Sequence, residues 1–285
     1  MQTLKIQAPA KLNLRLDVLG KRPDGYHNIL SLMDRINIED EIHLKIVEKG
    51  IEVKCSHEDV PCDDENTAFK ALKEILAYSS RNVGIEVEIH KNIPIAAGMG
   101  GGSSDAAAVI KGVNELLKLK LNDDKLMKIG AKVGADVPFF LFGAPAYAQG
   151  IGDKLSPIEH IPKLYFLIIN PGIKVSTKAV YQKILEDHYS KTRFEDLPIA
   201  YRTKKDVVKI LNNDLELVTI KEFPIIGEIK GELMKNGAIG SQMTGSGSTV
   251  FGIFSDKVKL AKAYEKFLKQ SDDDWQVLMA ENIAA

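Results

Sequence analysis

Four glycines occupy five consecutive positions in this chain, Gly98-Met99-Gly100-Gly101-Gly102. They lie within Pro94-Ile95-Ala96-Ala97-Gly98-Met99-Gly100-Gly101-Gly102-Ser103-Ser104-Asp105. An alternating apolar run ending at Ile89 precedes the segment, and an alanine-rich stretch, Ser103 to Leu119, reads as the helix that follows it. Glycines let a backbone approach a ligand closely and adopt positive φ. Their N–H groups then converge, and a helix N-terminus adds about half a positive charge. Such a place suits an anion, and phosphate best. The segment is not a Walker A loop, because no Gly-Lys-Ser/Thr follows it. It is not the dinucleotide fingerprint either, because Ser103 stands where the third glycine belongs. A mere connector would gain nothing from so many glycines, which weaken a helix start. A second glycine-rich stretch, Met243-Thr244-Gly245-Ser246-Gly247-Ser248-Thr249, reads either as a hairpin turn or as a second wall around a polyphosphate.

Periodicity gives the surroundings. Leu4, Ile6 and Ala8 alternate with polar residues. Leu12, Leu14, Leu16 and Val18 form one face of a further strand, with Lys11, Asn13, Arg15 and Asp17 on the other. Ile42-Leu44-Ile46, Ile51-Val53-Cys55 and Val83-Ile85-Val87-Ile89 repeat the period of two. Asn66 to Tyr78, Asn122 to Val133, a helix from Ser176 or Thr177 through Leu185, Lys204 to Leu211, Ile225 to Lys235 and Lys257 to Lys269 show helical spacing. Strands are expected at Leu164 to Ile169, Ala238 to Met243, Thr249 to Phe254 and Trp275 to Met279. The class is therefore α+β. The chain divides best near Ser156 to Lys163, where Pro157 and Pro162 flank a polar link, giving domains 1–156 and 157–285.

Composition excludes more than it assigns. The 285 residues carry 38 Lys plus Arg and 39 Asp plus Glu, for a net charge of −1. No global field draws a nucleic-acid backbone to it, and no nucleic-acid partner is expected. Tyr165 to Ile169 is the longest apolar run of note, far short of the ~20 residues that span a bilayer. Met1 to Leu16 alternates and is no secretory signal. Cys55 and Cys62 fit neither a disulfide framework nor a zinc pattern. A cytoplasmic chain with no membrane partner is expected. His43, His57, His90, His160 and His188 share no ligand spacing, so no metal site is assigned to protein side chains.

Three motifs in order carry a resemblance: Pro9-Ala10-Lys11-Leu12-Asn13-Leu14, the central glycine-rich loop and the C-terminal one. Together they are similar to the galactokinase, homoserine kinase, mevalonate kinase and phosphomevalonate kinase superfamily. Arg22-Pro23-Asp24-Gly25-Tyr26-His27 and Gly134-Ala135-Asp136-Val137-Pro138-Phe139-Phe140 narrow this. They resemble the branch that acts on cytidine diphosphate-linked methylerythritol in the non-mevalonate route to isoprenoids. The resemblance covers essentially the whole chain. It implies a two-domain small-molecule kinase fold, ribosomal-protein-S5-like at the N-terminus and ferredoxin-like at the C-terminus. Substrate and ATP would meet in the cleft between them. The implied reaction is ATP-dependent phosphorylation of the 2-hydroxyl of the methylerythritol unit.

The resemblance also implies roles. Asp136 is the expected base for the hydroxyl proton, and Lys11 the cation that keeps it ionised and stabilises charge on the transferred group. Pro94, Ile95, Ala96, Ala97, Gly98, Met99, Gly100, Gly101, Gly102, Ser103 and Ser104 are expected around ATP. Asn13, sharing the Lys11 face, would hydrogen-bond the substrate or orient Lys11. Tyr26 and His27 would take the cytidine by stacking and by hydrogen bonds to its edge. Tyr181 would be the other side of a base sandwich, and Thr177 would face the substrate. Asn66 and Thr67 match a region near the adenine, though a plain helix N-terminus explains them equally. ATP chemistry implies Mg²⁺, held mostly by phosphates and water, with Ser104 a contact.

Overall fold

The computed structural model describes residues 2–80, 83–270 and 274–283. In chain order come β1 (Thr3–Lys21), β2 (His27–Val47), β3 (Ile51–Cys55), α1 (Thr67–Leu76), β4 (Gly84–His90) and α2 (Gly101–Leu116). Next are α3 (Asp123–Val133), α4 (Val137–Phe142), β5 (Ala146–Gly150), β6 (Lys154–Pro157), β7 (Tyr165–Asn170), α5 (Thr177–Lys183) and α6 (Lys204–Lys209). The chain closes with β8 (Asn212–Asn213), α7 (Glu216–Glu222), α8 (Ile225–Lys235), β9 (Gly240–Met243), β10 (Val250–Phe254), α9 (Lys257–Gln270) and β11 (Gln276–Glu281).

The chain folds as two compact units that interleave along the sequence. The first takes residues up to Ala10, Ile38–Ile93 and Gly100–Gly143. The second takes Lys11–Asn37, Pro94–Met99 and everything from Ala144 on. The sequence suggested one cut between 156 and 157. Residues 157 onward do lie wholly in the second unit, but the first 156 contribute to both.

In the first unit, β2 pairs antiparallel with β4 from Glu41↔His90 to Val47↔Gly84, and β3 runs parallel to β4. Ile42, Leu44, Ile85, Val87 and Ile89 are buried by strict alternation. That buried face meets α2 closely. A Cβ on Gly112 would lie within 3.0 Å of Leu44 Cδ1 and Ile6 Cδ1, so any larger residue would have to displace those side-chain ends. Asn66 caps α1 and Asn122 caps α3 through their side chains, as such residues favour.

In the second unit, β11-β7-β10-β9 form an antiparallel sheet. Leu167, Ile169, Val250, Phe254 and Val277 from this sheet share a core with Ile226, Ile229 and Leu233 of α8 and Leu260, Ala263 and Phe267 of α9. Each Val, Leu, Ile or Phe side chain among them contributes roughly 1.5–3 kcal/mol on burial. Phe166 and Phe251 stack edge to face at 5.7 Å from the alternate positions of the same strands. The start of β2 pairs with β5, β5 with β6, and β1 with β8. Late in the chain, Asn282 is buried and stitches distant segments. Its Nδ2 donates to Asp34 Oδ2 and Pro162 O, both at 3.1 Å, and its Oδ1 accepts from Leu164 N at 2.8 Å.

Three features of the fold go beyond the sequence reading. The two N-terminal strands are one, because nothing at Ala8-Pro9-Ala10 interrupts the extended backbone of β1. Its polar face is no solvated face: Lys11 is 4%, Asn13 3% and Asp17 0% exposed. α4 and α7 fall outside the segments that helical spacing marked.

Candidate active site

The glycine-rich segment begins at a buried charge cluster of the first unit. Asp40, at 0% exposure, receives the Asn92 and Ile93 N–H groups at 2.6 and 2.8 Å. It also pairs with Lys91 Nζ, which donates to Asp105 Oδ2 at 2.8 Å. Burial works against the Lys91 charge, yet Asp105 and Asp40 outweigh it and hold the ammonium above its ordinary range. Burial, opposed by Lys91 and seconded by Asp40, pushes the Asp105 carboxyl up to about 7. The cluster joins the end of β4 to the first turn of α2.

Between these anchors the backbone turns on positive φ at Ala96 (53°), Gly98 (75°) and Gly100 (75°). Gly100 occupies the N-cap of α2, so no side chain caps that helix. Its first N–H groups lack the usual side-chain acceptor. Ser104 Oγ and Asp105 Oδ1 are buried in the same turn with no hydrogen-bond partner. Open backbone donors and an unused hydroxyl fit a polyphosphate. The hydroxyl also fits an oxygen-seeking Mg²⁺ accompanying it. Thr67, from the α1 N-terminus, donates to Gly102 O at 2.7 Å.

In the second unit, Lys11 and Asn13 meet as neighbours on one strand face. Lys11 Nζ donates to Asn13 Oδ1 and, at 2.9 Å, to Gly98 O. The Lys11 backbone N–H donates to Met99 O at 2.9 Å. Asn13 Nδ2 donates to Ser31 Oγ at 2.8 Å, and the Asn13 N–H reaches Thr244 Oγ1 at 3.0 Å. Asn13 is therefore occupied in holding Lys11, Ser31 and Thr244. The second glycine-rich stretch packs its Thr244 carbonyl onto Gly98: a Cβ there would come within 3.0 Å of that oxygen. The contacts of Asn13 with Ser31 and Thr244 escaped the sequence reading because nothing local marks partners 18 and 231 residues away.

Asp136 stands half-buried at the N-cap of α4 in the first unit and makes no capping hydrogen bond. An aspartate there purely for the helix would bond the backbone, so its carboxylate is left for other work.

Tyr26 and His27 part company. Tyr26 is 61% exposed on a turn held by the Arg22–Asp24 pair. His27 is 7% exposed, and its Nε2 is buried without a partner. The His27 ring lies 5.3 Å from Tyr181 and 6.2 Å from Tyr189. Burial first, and Lys21 second, lower the His27 pKa, which favours the neutral imidazole. Thr177 shares a hydrogen bond with Ser246 at 2.8 Å. Ser246 belongs to the second glycine-rich stretch, but its pairing with Thr177 has no local signal, and Tyr189 lies just beyond a one-turn 3₁₀ helix with no periodic signal.

Residues 66–144 match the GHMP kinases N terminal domain and residues 202–273 the GHMP kinases C terminal family. The Methanococcus jannaschii mevalonate kinase shares the fold, with TM-score 0.75 at 18% identity over 99% of each chain. Fold and matches together define a GHMP kinase, an enzyme for which ATP is co-substrate. A Geotalea daltonii protein named 4-diphosphocytidyl-2-C-methyl-D-erythritol kinase is 49% identical, covering 95% of this chain and 97% of its own. A solved 4-(cytidine 5'-diphospho)-2C-methyl-D-erythritol kinase superposes with TM-score 0.84 at 28% identity, over 99% of this chain and 100% of the other. The chain belongs to the 4-diphosphocytidyl-2-C-methyl-D-erythritol kinase family.

Proposed function

We propose that this chain phosphorylates the 2-hydroxyl of 4-diphosphocytidyl-2-C-methyl-D-erythritol with ATP, giving the 2-phosphate and ADP, in the non-mevalonate route to isoprenoid precursors. The observation that carries the substrate is His27. A buried imidazole with an unused Nε2 beside Tyr181, where burial disfavours the charged form, suits the polar edge of a pyrimidine. The name of the Geotalea daltonii relative supports the same choice.

In the reaction the substrate oxygen bonds to the γ-phosphorus as the bond to the β-phosphate oxygen breaks. Asp136 takes the hydroxyl proton. Lys11, held by Asn13 and the Gly98 carbonyl, supplies positive charge to the transferred group. Pro94 to Ser104 surround ATP, the open N–H groups at the start of α2 receiving its phosphates, and Ser104 Oγ would help hold Mg²⁺. When bound, Mg²⁺ neutralises phosphate charge. Tyr181 and His27 hold the cytosine, with Tyr26 closing over it from the surface. Asn13 acts through Lys11, and Thr177 faces the substrate from α5. By this division residues 1–156 supply the nucleotide loop, and 157–285 supply Thr177 and Tyr181. The unpaired thiols of Cys55 and Cys62 suit a reducing cytoplasm.

The test is ATP consumption by the purified chain with the diphosphocytidyl substrate, against mevalonate, homoserine and galactose. Turnover of the first alone is expected; preference for any of the other three overturns the reading.

A further inference from the structure

The face of β2 and β4 turned away from α2 gathers histidines that lie far apart in sequence. The antiparallel register sets Glu41 opposite His90 and His43 opposite Glu88. Directly opposed side chains stand about 5 Å apart at Cβ, so the two imidazoles meet on the diagonal. Their ring centroids are 4.8 Å apart, tilted by 53°. One donor atom from each of His43, Glu88 and His90 lies within 4.8 Å of the others. His90 Nε2 faces Glu88 Oε1 at 3.3 Å, and His43 Nε2 faces Glu41 Oε1 at 2.6 Å.

The surrounding charges sharpen the picture. Glu86 is held by Lys45 and Lys54, and Glu41 by Lys5. The partner of Glu88 is His90. Two imidazoles and a carboxylate therefore converge where lysines neutralise the neighbouring acids. We infer that His43, Glu88 and His90 bind a divalent transition-metal ion of the zinc type, with water completing the coordination. Imidazole with carboxylate is a donor set that zinc accepts. Zinc–ligand bonds near 2.0–2.2 Å put tetrahedral donors about 3.3 Å apart. From donor atoms within 4.8 Å of one another, reaching that spacing takes side-chain shifts on the order of 1 Å. The three side chains are free to make them, with side-chain exposures of 39%, 50% and 42% on a fixed strand pair. Glu41 adds a carboxylate on the His43 ring, the kind of outer partner that orients a ligating imidazole. This site is separate from the Mg²⁺ that accompanies ATP, and no residue of the proposed reaction belongs to it.

The experiment titrates the full-length, chelator-treated chain with Zn²⁺ by calorimetry, and with Co²⁺ by its visible absorption. The unaltered chain should show a saturable site. His43→Gln and His90→Gln should each weaken it by about tenfold or more while leaving kinase turnover unchanged. Should either variant fail to fold, Glu88→Gln, at the exposed end of the cluster, gives the same readout. Absence of saturable binding, or equal affinity in the folded variants, overturns the inference.

Discussion

Gly98→Ala isolates the contact between the two glycine-rich stretches. Two separate costs follow from the geometry. With φ at +75°, alanine sits in the left-handed region, at about 1–2 kcal/mol. Its Cβ would also come within 3.0 Å of Thr244 O, 3.2 Å of Gly247 O and 3.3 Å of Thr244 C, all backbone atoms that cannot swing aside. Such overpacking costs about 1–3 kcal/mol. The sum, about 2–5 kcal/mol, corresponds to a thermal midpoint lower by about 5–15 °C for a chain of this size. Gly25→Ala is the matched control. Its φ is +88° with nothing within 4 Å of the new Cβ, so it carries the strain alone. Melting followed by circular dichroism separates the two, and the KM for ATP should rise only in Gly98→Ala. If Gly98→Ala melts no lower than Gly25→Ala, the argument from contact with Thr244 is refuted.

Asp136→Asn should lower kcat by about 10²–10⁴-fold with ATP binding little altered; unaltered turnover would remove Asp136 as the base. Tyr181→Ala and His27→Ala should raise KM for the cytidyl substrate by about 1–3 kcal/mol of lost contact each, and Tyr26→Ala by less, since Tyr26 is 61% exposed. Steady-state kinetics on the three variants shows the order. Burial pushes the Asp34 carboxyl up to about 7 from an ordinary 3.8, against hydrogen bonds from Asn282 and the Arg35 N–H. The folded chain therefore holds a proton that the unfolded chain releases between about pH 4 and pH 7, and stability falls as pH rises through that window. Urea midpoints from about pH 4 to pH 8 should show that slope, and Asp34→Asn should flatten it.

Local patterns reported themselves faithfully. Asn66, Asn122 and Ser176 cap the helices expected to follow them, because capping needs only the next three residues. Lys11 and Asn13 meet because a period of two places them on one strand face. Alternation could not say whether that face was wet, and here burial on both sides made its polar residues a hydrogen-bonded network. His27 and Tyr181 do come together, yet the identity of Tyr189 as a further neighbour rests on tertiary packing alone. Similarly, His43 and His90 share no ligand spacing in the sequence. Only the strand register of β2 and β4 makes them neighbours, and register is set by the hydrophobic pattern of the whole pair.

The buried Asn282 has a consequence for how the second unit is made. During synthesis, Lys11–Asn37 leaves the ribosome about 245 residues before Asn282 does, at a pace of about 5–20 residues per second. Asp34 must wait 248 residues for that amide, and the Leu164 N–H 118 residues. A nascent chain halted in mid-length would therefore hold its earliest long strands incompletely covered until Asn282 arrives to close the Asp34, Pro162 and Leu164 contacts.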